Sequence, residues 1–183
     1  MVLPVARGGE TRIFADRRVV LQRSNPTEGT AGMATAEDLD HAVDSQWDWV
    51  AKHTRTYITS GGTKGHLSQG VHTLVLATTG RRTGTARRNC LIYGTSGDDY
   101  VVVASKGGAD KDPAWLLNLT ADPSVGVQVG TQRFTARARI ATPAERETLW
   151  PQMAAIFPLY NTYAKKTTRE IPVVILTPVD DSH

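Results

Sequence analysis

Cysteine is almost absent from this chain, and its scarcity excludes whole classes of site. The sequence contains one cysteine, Cys90, so no internal disulfide can form and no cluster of thiolates is available to hold a structural metal. No run of apolar residues approaches the length of about 18 that a membrane-spanning helix requires. Both absences fit a protein of the reducing cytoplasm, and a length of 183 residues predicts one globular domain.

A large excess of either sign of charge is also absent. The chain has 21 lysines and arginines against 18 acidic residues, and residues 1–32 hold five of the former and three of the latter. The charges of the remaining 16 basic and 15 acidic residues nearly cancel, which argues against the broad basic face of a nucleic-acid-binding protein. Residues 1–32 show no sustained hydrophobic period and no signal-peptide pattern. We therefore expect a disordered arm there and a single domain over residues 33–183, with Met33 a candidate for the true start.

The side-chain patterns of hydrolytic and metal-dependent enzymes are missing as well. No Ser-His-Asp set and no pair of carboxylates stands out in the sequence. His66 and His72 lack a third residue at metal-ligand spacing. We therefore expect neither a hydrolase nor a metal site.

The chain does contain a series of short, β-branched and apolar segments separated by turn residues. Val71–Thr79 suits a strand that is buried on both faces, and Pro172 within the last segment suggests an edge strand or a bulge. The predicted strands are residues 71–79, a second one ending near 93, and then 100–104, 125–129, 133–140 and 171–176. Short turns join most neighbours, which predicts antiparallel pairing.

Helical patterns are inserted between these strands. Thr35 with Asp38 resembles a capping box for an N-terminal helix from about Ala36 to Tyr57, and Asp112 is a candidate N-cap for a helix over residues 113–121. Two more helices are predicted, one after Thr142 and one over residues 159–163. The fold class is therefore α+β and mainly β: a barrel of about six mostly antiparallel strands with helical insertions, without the βαβ alternation of a Rossmann domain.

Arginines crowd the first turn of this series. Arg81, Arg82, Arg87 and Arg88 fall within residues 81–88, beside threonine hydroxyls, and guanidinium groups there could grip a phosphate or several carboxylates. The stretch is not a P-loop, because a strand rather than a helix follows it. On the residues alone, a hairpin with solvated arginines is an equal alternative.

Five blocks of the sequence resemble one protein family. They are Thr78–Gly84 (TTGRRTG), Leu91–Tyr93 (LIY), Ala104–Gly108 (ASKGG), Pro113–Leu119 (PAWLLNL) and Arg169–Val174 (REIPVV). In this order and spacing they resemble the deazaflavin-dependent nitroreductase family, the F420-binding split β-barrel proteins of actinobacteria, from Trp47 to about Pro178. The resemblance implies a split β-barrel and an F420H2-dependent reductase. Such an enzyme transfers a hydride to a small electron-poor substrate: a quinone, an enone or other activated C=C bond, or a nitro compound.

The resemblance also implies which residues contact the cofactor. Arg81, Arg82 and Arg87 match the positions that hold its phosphate and tail carboxylates, whereas Arg88 alternates to the other face of the strand. Ser105 and Lys106 match residues beside the deazaflavin ring, where backbone N–H groups could stabilise negative charge, and both are candidates for catalysis. The expected cofactor-binding set is Arg81, Arg82, Thr83, Arg87, Cys90, Ile92, Ala104, Ser105, Lys106, Gly107, Trp115 and Asn118.

The substrate side is expected from the aromatic residues near the end of the chain. The resemblance places Phe157, Tyr160 and Tyr163 there, with Tyr160 a candidate for orienting or protonating the substrate. Trp49 is a candidate lid residue, and the alternative for all of these aromatics is ordinary packing. Relatives carry a tyrosine at the position of Phe157, so quinones and activated C=C bonds are expected ahead of nitro compounds.

Two other functions stay open from the sequence. One is a split barrel that binds FMN, whose single phosphate would need fewer arginines, and the other is a non-catalytic F420 carrier or an anion-binding barrel. The expected partner is a small-molecule substrate and not a nucleic acid, and the chain is expected to be a monomer or a homodimer. A cytoplasmic location is predicted. Attachment to the inner face of the membrane is compatible with the sequence but not indicated by it.

Overall fold

A computed structural model of the protein describes residues 33–179. The predicted arm over residues 1–32 lies outside this range. Eight strands are present: β1 (Val43–Asp44), β2 (Leu67–Ser68), β3 (Val71–Thr79), β4 (Ala86–Ser96), β5 (Asp99–Val103), β6 (Ser124–Val129), β7 (Gln132–Ile140) and β8 (Val173–Pro178). The α-helices are α1 (Asp48–Thr59), α2 (Ala114–Ala121), α3 (Pro143–Ile156) and α4 (Leu159–Lys166), and Ala36–Asp40 and Lys106–Gly108 form 3₁₀ turns.

Six of the strands close into an antiparallel barrel in the order β3-β4-β5-β8-β7-β6 and back to β3. The two short strands lie outside the ring: β2 pairs antiparallel with β3, and β1 pairs parallel with β4. The predicted mainly-β barrel with helical insertions is therefore confirmed. No helix within residues 33–179 is long and apolar enough to span a bilayer.

The barrel interior and the helices form separate apolar clusters. The interior is filled by inward-facing residues of the six strands together with Trp115, Leu116 and Leu119 of α2. A second cluster packs α3 and α4 against the outer faces of β5 and β8 around Met153 and Tyr160. Each strand thus has apolar contacts on both faces where helices cover it, which explains the β-branched runs in the sequence.

The predicted N-terminal helix over residues 36–57 is wrong in its first half. The capping box between Thr35 and Asp38 does form, but it caps only a single 3₁₀ turn. The buried guanidinium of Arg88 donates to the Leu39 carbonyl and to the Asp44 carboxylate, and this draws the chain onto β4 as a short strand. Tertiary contacts override helix propensity there, and the helix begins only at Asp48.

Two local predictions are also corrected. Pro113, not Asp112, occupies the N-cap position of α2, because the Asp112 carboxylate is instead paired with Arg169. Pro172 precedes β8 rather than lying inside it, and its carbonyl accepts a hydrogen bond from the Ala104 N–H. The capping box at Thr142 and the hairpin of β6 and β7 form as predicted.

Candidate active site

A cavity of about 710 Å³ opens between β4, α1, α4 and the loop that follows β5. This volume is in the usual range for a small-molecule site. Most of the residues predicted from the sequence meet in its wall. The predicted residues that line it are Trp49, Arg87, Cys90, Ile92, Ser105, Lys106, Gly107, Trp115, Phe157, Tyr160 and Tyr163.

The Ser105–Gly107 loop forms one side of this wall with an unusual main-chain conformation. Ser105 is in the right-handed helical region, whereas Lys106 has φ of 46° and Gly107 has φ of 65°. The carbonyls of Ser105 and Lys106 accept hydrogen bonds from the Gly108 and Ala109 N–H groups. A right-handed residue followed by a left-handed one directs successive N–H groups into a concavity that attracts anions. The loop is therefore suited to hold a negatively charged group at the cavity wall.

The arginine turn lies beside the cavity, and its residues differ in placement. Arg81, Arg82 and Thr83 are exposed on the turn, whereas Arg87 is half-buried and lines the cavity. Within residues 33–179, Arg87 has no carboxylate at ion-pair distance, so its charge is available to a ligand. Arg88 also borders the cavity, but it is buried and paired with Asp44 at 2.7 Å, so its charge is already compensated.

Two predicted cofactor residues lie behind the wall instead of in it. The buried Asn118 side chain accepts hydrogen bonds from the Arg81 N–H and guanidinium, each at 3.2 Å, and donates to the Thr78 hydroxyl at 3.1 Å. Asn118 thereby fixes the start of the arginine turn. Ala104 is fully buried at the end of β5, where it leads into the Ser105–Gly107 loop.

Cys90 lies in the middle of the wall next to a histidine that the sequence did not indicate. The Cys90 sulfur is 3.7 Å from Nε2 of His53, and the same nitrogen donates to the Gly65 carbonyl at 2.7 Å. This bond sets the His53 tautomer with the proton on Nε2. Burial raises the pKa of the Cys90 thiol to about 11, so the thiol is neutral at physiological pH.

Aromatic side chains form the part of the wall that adjoins the loop, since α4 packs against Gly108. The rings of Phe157 and Tyr160 pack edge-on with centroids 5.1 Å apart, and Tyr163 follows at 6.5 Å from Tyr160. Burial raises the pKa of Tyr160 above its ordinary value, with the neighbouring Tyr163 adding to the shift. The Tyr160 hydroxyl therefore stays protonated across the physiological range and can donate a hydrogen bond.

Part of the wall was missed by sequence reasoning. Val50 and His53 of α1 line the cavity with Trp49, and the spacing of four residues between Trp49 and His53 on a helix could have revealed His53. The segment from Asp44 to Trp47 reaches the cavity only because β1 pairs with β4. Trp47 and Trp49 remain 61% and 72% exposed at the cavity mouth, a placement that leaves the predicted lid role of Trp49 open.

Comparison with known proteins places this chain in a family. A family model described as F420H(2)-dependent quinone reductase matches residues 49–178. The chain is similar to an F420H(2)-dependent quinone reductase of Mycobacterium tuberculosis, with 37% identity over 134 residues that cover 68% of this chain and 87% of the relative. The same identity and coverage relate it to a protein of Mycobacterium bovis.

Solved structures agree with this assignment. The chain is similar to an F420-H2 dependent reductase at 37% identity, with a TM-score of 0.53, covering 57% of this chain and 92% of that one. It is also similar to a chain described as a domain-swapped dimer, at 36% identity and a TM-score of 0.56, covering 72% and 99%. The predicted resemblance, the oxidoreductase class and the F420 cofactor are confirmed at the level of the family. The chain belongs to the F420H(2)-dependent quinone reductase family.

Proposed function

We propose that the protein reduces a quinone with F420H2 in the cavity lined by the Ser105–Gly107 loop and the aromatic wall. The observation that carries this proposal is that one cavity is lined by a cationic, N–H-rich side, made by the Ser105–Gly107 loop and Arg87, and by an adjoining aromatic side. A deazaflavin with an anionic tail suits the first side, and a flat electron-poor ring suits the second. Quinones come ahead of other activated C=C bonds and nitro compounds because the relatives are named for them.

The residues present fit the cofactor by their donor chemistry. The concavity of the Ser105–Gly107 loop would meet negative charge on the ring, and Lys106 adds a positive charge beside it. Arg87 brings an uncompensated guanidinium to the same cavity, while Arg81, Arg82 and Thr83 would hold the phosphate and carboxylates of the tail from the turn. Cys90, Ile92 and Trp115 would contact the ring through apolar surface.

When bound, reduced F420 supplies the hydride. The chain would bind and orient the two reactants, keep water from the reacting atoms and provide a hydrogen-bond donor. Reduction of a quinone to a quinol requires one proton in addition to the hydride, and the protonated Tyr160 hydroxyl, which lines the cavity, would donate a hydrogen bond to the quinone oxygen. Because its raised pKa makes it a poor acid, Tyr160 would orient the quinone oxygen and keep its own proton, and the proton that completes the quinol would come from solvent. Phe157 and Tyr163 would pack against the substrate ring.

The assembly and location of the protein are part of the same proposal. We propose a monomer or a homodimer in the cytoplasm, with attachment to the inner face of the membrane as the alternative. One similar solved chain is described as a domain-swapped dimer.

The first experiment is a parallel titration of the purified protein with F420 and with FMN, followed by ligand fluorescence. Binding of F420 and not of FMN, together with turnover of a soluble quinone by F420H2, would support the proposal. Binding of FMN alone would assign the protein to a flavin branch. Binding of F420 without turnover of any quinone, enone or nitro compound would indicate a carrier.

Arg87→Ala tests the cofactor side of the cavity. We expect the affinity for F420 to fall about tenfold or more, since a hydrogen bond to a charged group carries roughly that weight, with little change in turnover at saturating cofactor. Arg82→Ala should weaken binding less because its exposed charge is screened by solvent. Arg137→Ala, an exposed arginine on β7, is the matched control. Equal affinity in the Arg87 and Arg137 variants would contradict the assignment.

A further inference from the structure

Arg169 grips the main chain of the cavity loop from outside the cavity. Its guanidinium makes four hydrogen bonds, to the carbonyls of Ala104 (3.1 Å), Ser105 (3.0 Å) and Ala109 (2.7 Å) and to the Asp112 carboxylate (2.9 Å). The Arg169 side chain is 15% exposed and does not line the cavity. Its charge is matched by Asp112, so Arg169 is engaged in holding the loop and not in binding an anion.

Because the peptide bond is planar, the hydrogen bonds from Arg169 to these carbonyls also fix the direction of the adjoining N–H groups. In a planar trans peptide, the carbonyl and the N–H point in opposite directions. Arg169 holds the carbonyls that precede Ser105 and Lys106, so the N–H groups of these two residues point away from the guanidinium. Ser105 and Lys106 line the cavity, whereas Arg169 lies behind them.

The loop has an unfavourable main-chain conformation, so it depends on contacts such as those of Arg169 for its stability. Lys106 has φ of 46°, a left-handed conformation that costs of order 1 kcal/mol or more for a residue other than glycine. On its other side the loop is packed against α4, since a Cβ on Gly108 would lie 2.7 Å from the Tyr163 carbonyl oxygen. The loop is therefore fixed between Arg169 and the helix that carries the substrate-side tyrosines.

We infer that Arg169 is a positioning residue that holds the Ser105–Gly107 loop with its N–H groups directed at the deazaflavin ring. The identity of the ligand in this inference rests on the proposed function, whereas the hydrogen bonds from Arg169 to the loop do not. A lysine cannot replace the arginine, because an ammonium lacks the planar fork that reaches several acceptors at once. The consequence is that cofactor affinity depends on a side chain that does not touch the cofactor.

The test compares Arg169→Lys with Arg146→Lys as a matched control. Arg146 is also a mostly buried arginine, 23% exposed, and it donates to the Ile171 carbonyl and stacks on Trp150 without contacting the loop. The first readout is hydrogen exchange of the protein without cofactor. We expect exchange over residues 105–112 to rise about tenfold in Arg169→Lys, the weight of roughly one lost charge-assisted hydrogen bond, and to stay at the wild-type rate in Arg146→Lys.

The second readout is F420 affinity together with a split of the kinetic constants. In Arg169→Lys we expect the dissociation constant for F420 to rise about tenfold and the absorption spectrum of the bound oxidised cofactor to shift toward that of the free form. The KM for the quinone should be unchanged, because the aromatic wall is intact. A merely structural role would raise exchange throughout the protein and leave the bound spectrum unaltered.

The outcomes separate this inference from the proposed function. If exchange over residues 105–112 and F420 affinity both match those of Arg146→Lys, the role of Arg169 is refuted while the function stands. If the wild-type protein binds no F420, the proposed function and the cofactor role of Arg169 both fall. Hydrogen exchange still decides in that case whether Arg169 holds the loop.

Discussion

Removal of the Asp44 carboxylate should destabilise the protein far more than removal of its exposed partner. One oxygen of Asp44 accepts from Nε of Arg88 and the other from Nε of Arg55, each at 2.7 Å. The two arginine side chains differ greatly in exposure, 10% for Arg88 and 63% for Arg55. The Asp44→Ala change therefore leaves a buried cation without its counter-ion, whereas Arg55→Ala leaves a carboxylate that is still paired with Arg88.

The expected magnitudes follow from burial. Breaking a buried pair by removing one partner costs about 3–5 kcal/mol, and Asp44 is 20% exposed, so we take the lower end. The expected loss for Asp44→Ala is about 3 kcal/mol, against at most about 1 kcal/mol for Arg55→Ala. For a chain of this size, about 2–4 °C per kcal/mol places the melting temperature of Asp44→Ala roughly 6–12 °C below wild type.

Urea unfolding of the two variants, with Arg88→Met and the Asp44→Ala/Arg88→Met double variant, measures these values. In the double variant the uncompensated charge is gone, so adding Asp44→Ala to Arg88→Met should cost much less than it does in the wild type. Because β1 supplies part of the cavity wall, Asp44→Ala should also weaken ligand binding. A loss in Asp44→Ala no larger than in Arg55→Ala would refute the reasoning.

Two further predictions concern the cavity wall. The Cys90 thiol has a pKa of about 11 in the folded protein, against an ordinary value of 9.0. At pH 8 the folded protein therefore contains about 100-fold less thiolate than the protein unfolded in urea, and we expect alkylation to be slower by the same factor. Equal rates would contradict this. Gly108→Ala should cost about 2 kcal/mol or more in urea unfolding, because its φ is 81° and its Cβ would meet Tyr163. Gly97→Ala, with φ of 60° and open space, isolates the backbone strain and should cost less.

Much of the barrel could be predicted from the sequence because its strands carry their own signal. The run Val71–Thr79 is β-branched and pairs on both edges, so local propensity and tertiary burial agree there. The loop after β5 was found through residue types that recur in a family. The gathering of the loop, Arg87 and Tyr160 around one cavity then follows from closure of the barrel.

The rest could not be predicted because it depends on contacts between distant residues. The strand pairing of Val43 and Asp44 with β4 involves two residues of a segment whose local pattern is helical, and the buried Arg88 decides against that helix. Nothing in the sequence indicates that the Asn118 side chain accepts hydrogen bonds from Arg81. A polar residue on an apolar helix fits both a ligand contact and an internal hydrogen bond equally well.

The grip of Arg169 on the loop also has a consequence for folding. The bonds from Arg169 to Ala104 and Ser105 span 65 and 64 residues of chain, and the Arg88–Asp44 bond spans 44. Contacts of such long range pay a large loop-closure entropy and form slowly. The cavity is thus completed by bonds between distant parts of the chain, so a chain whose last strand has not yet docked has no completed site to offer a cofactor.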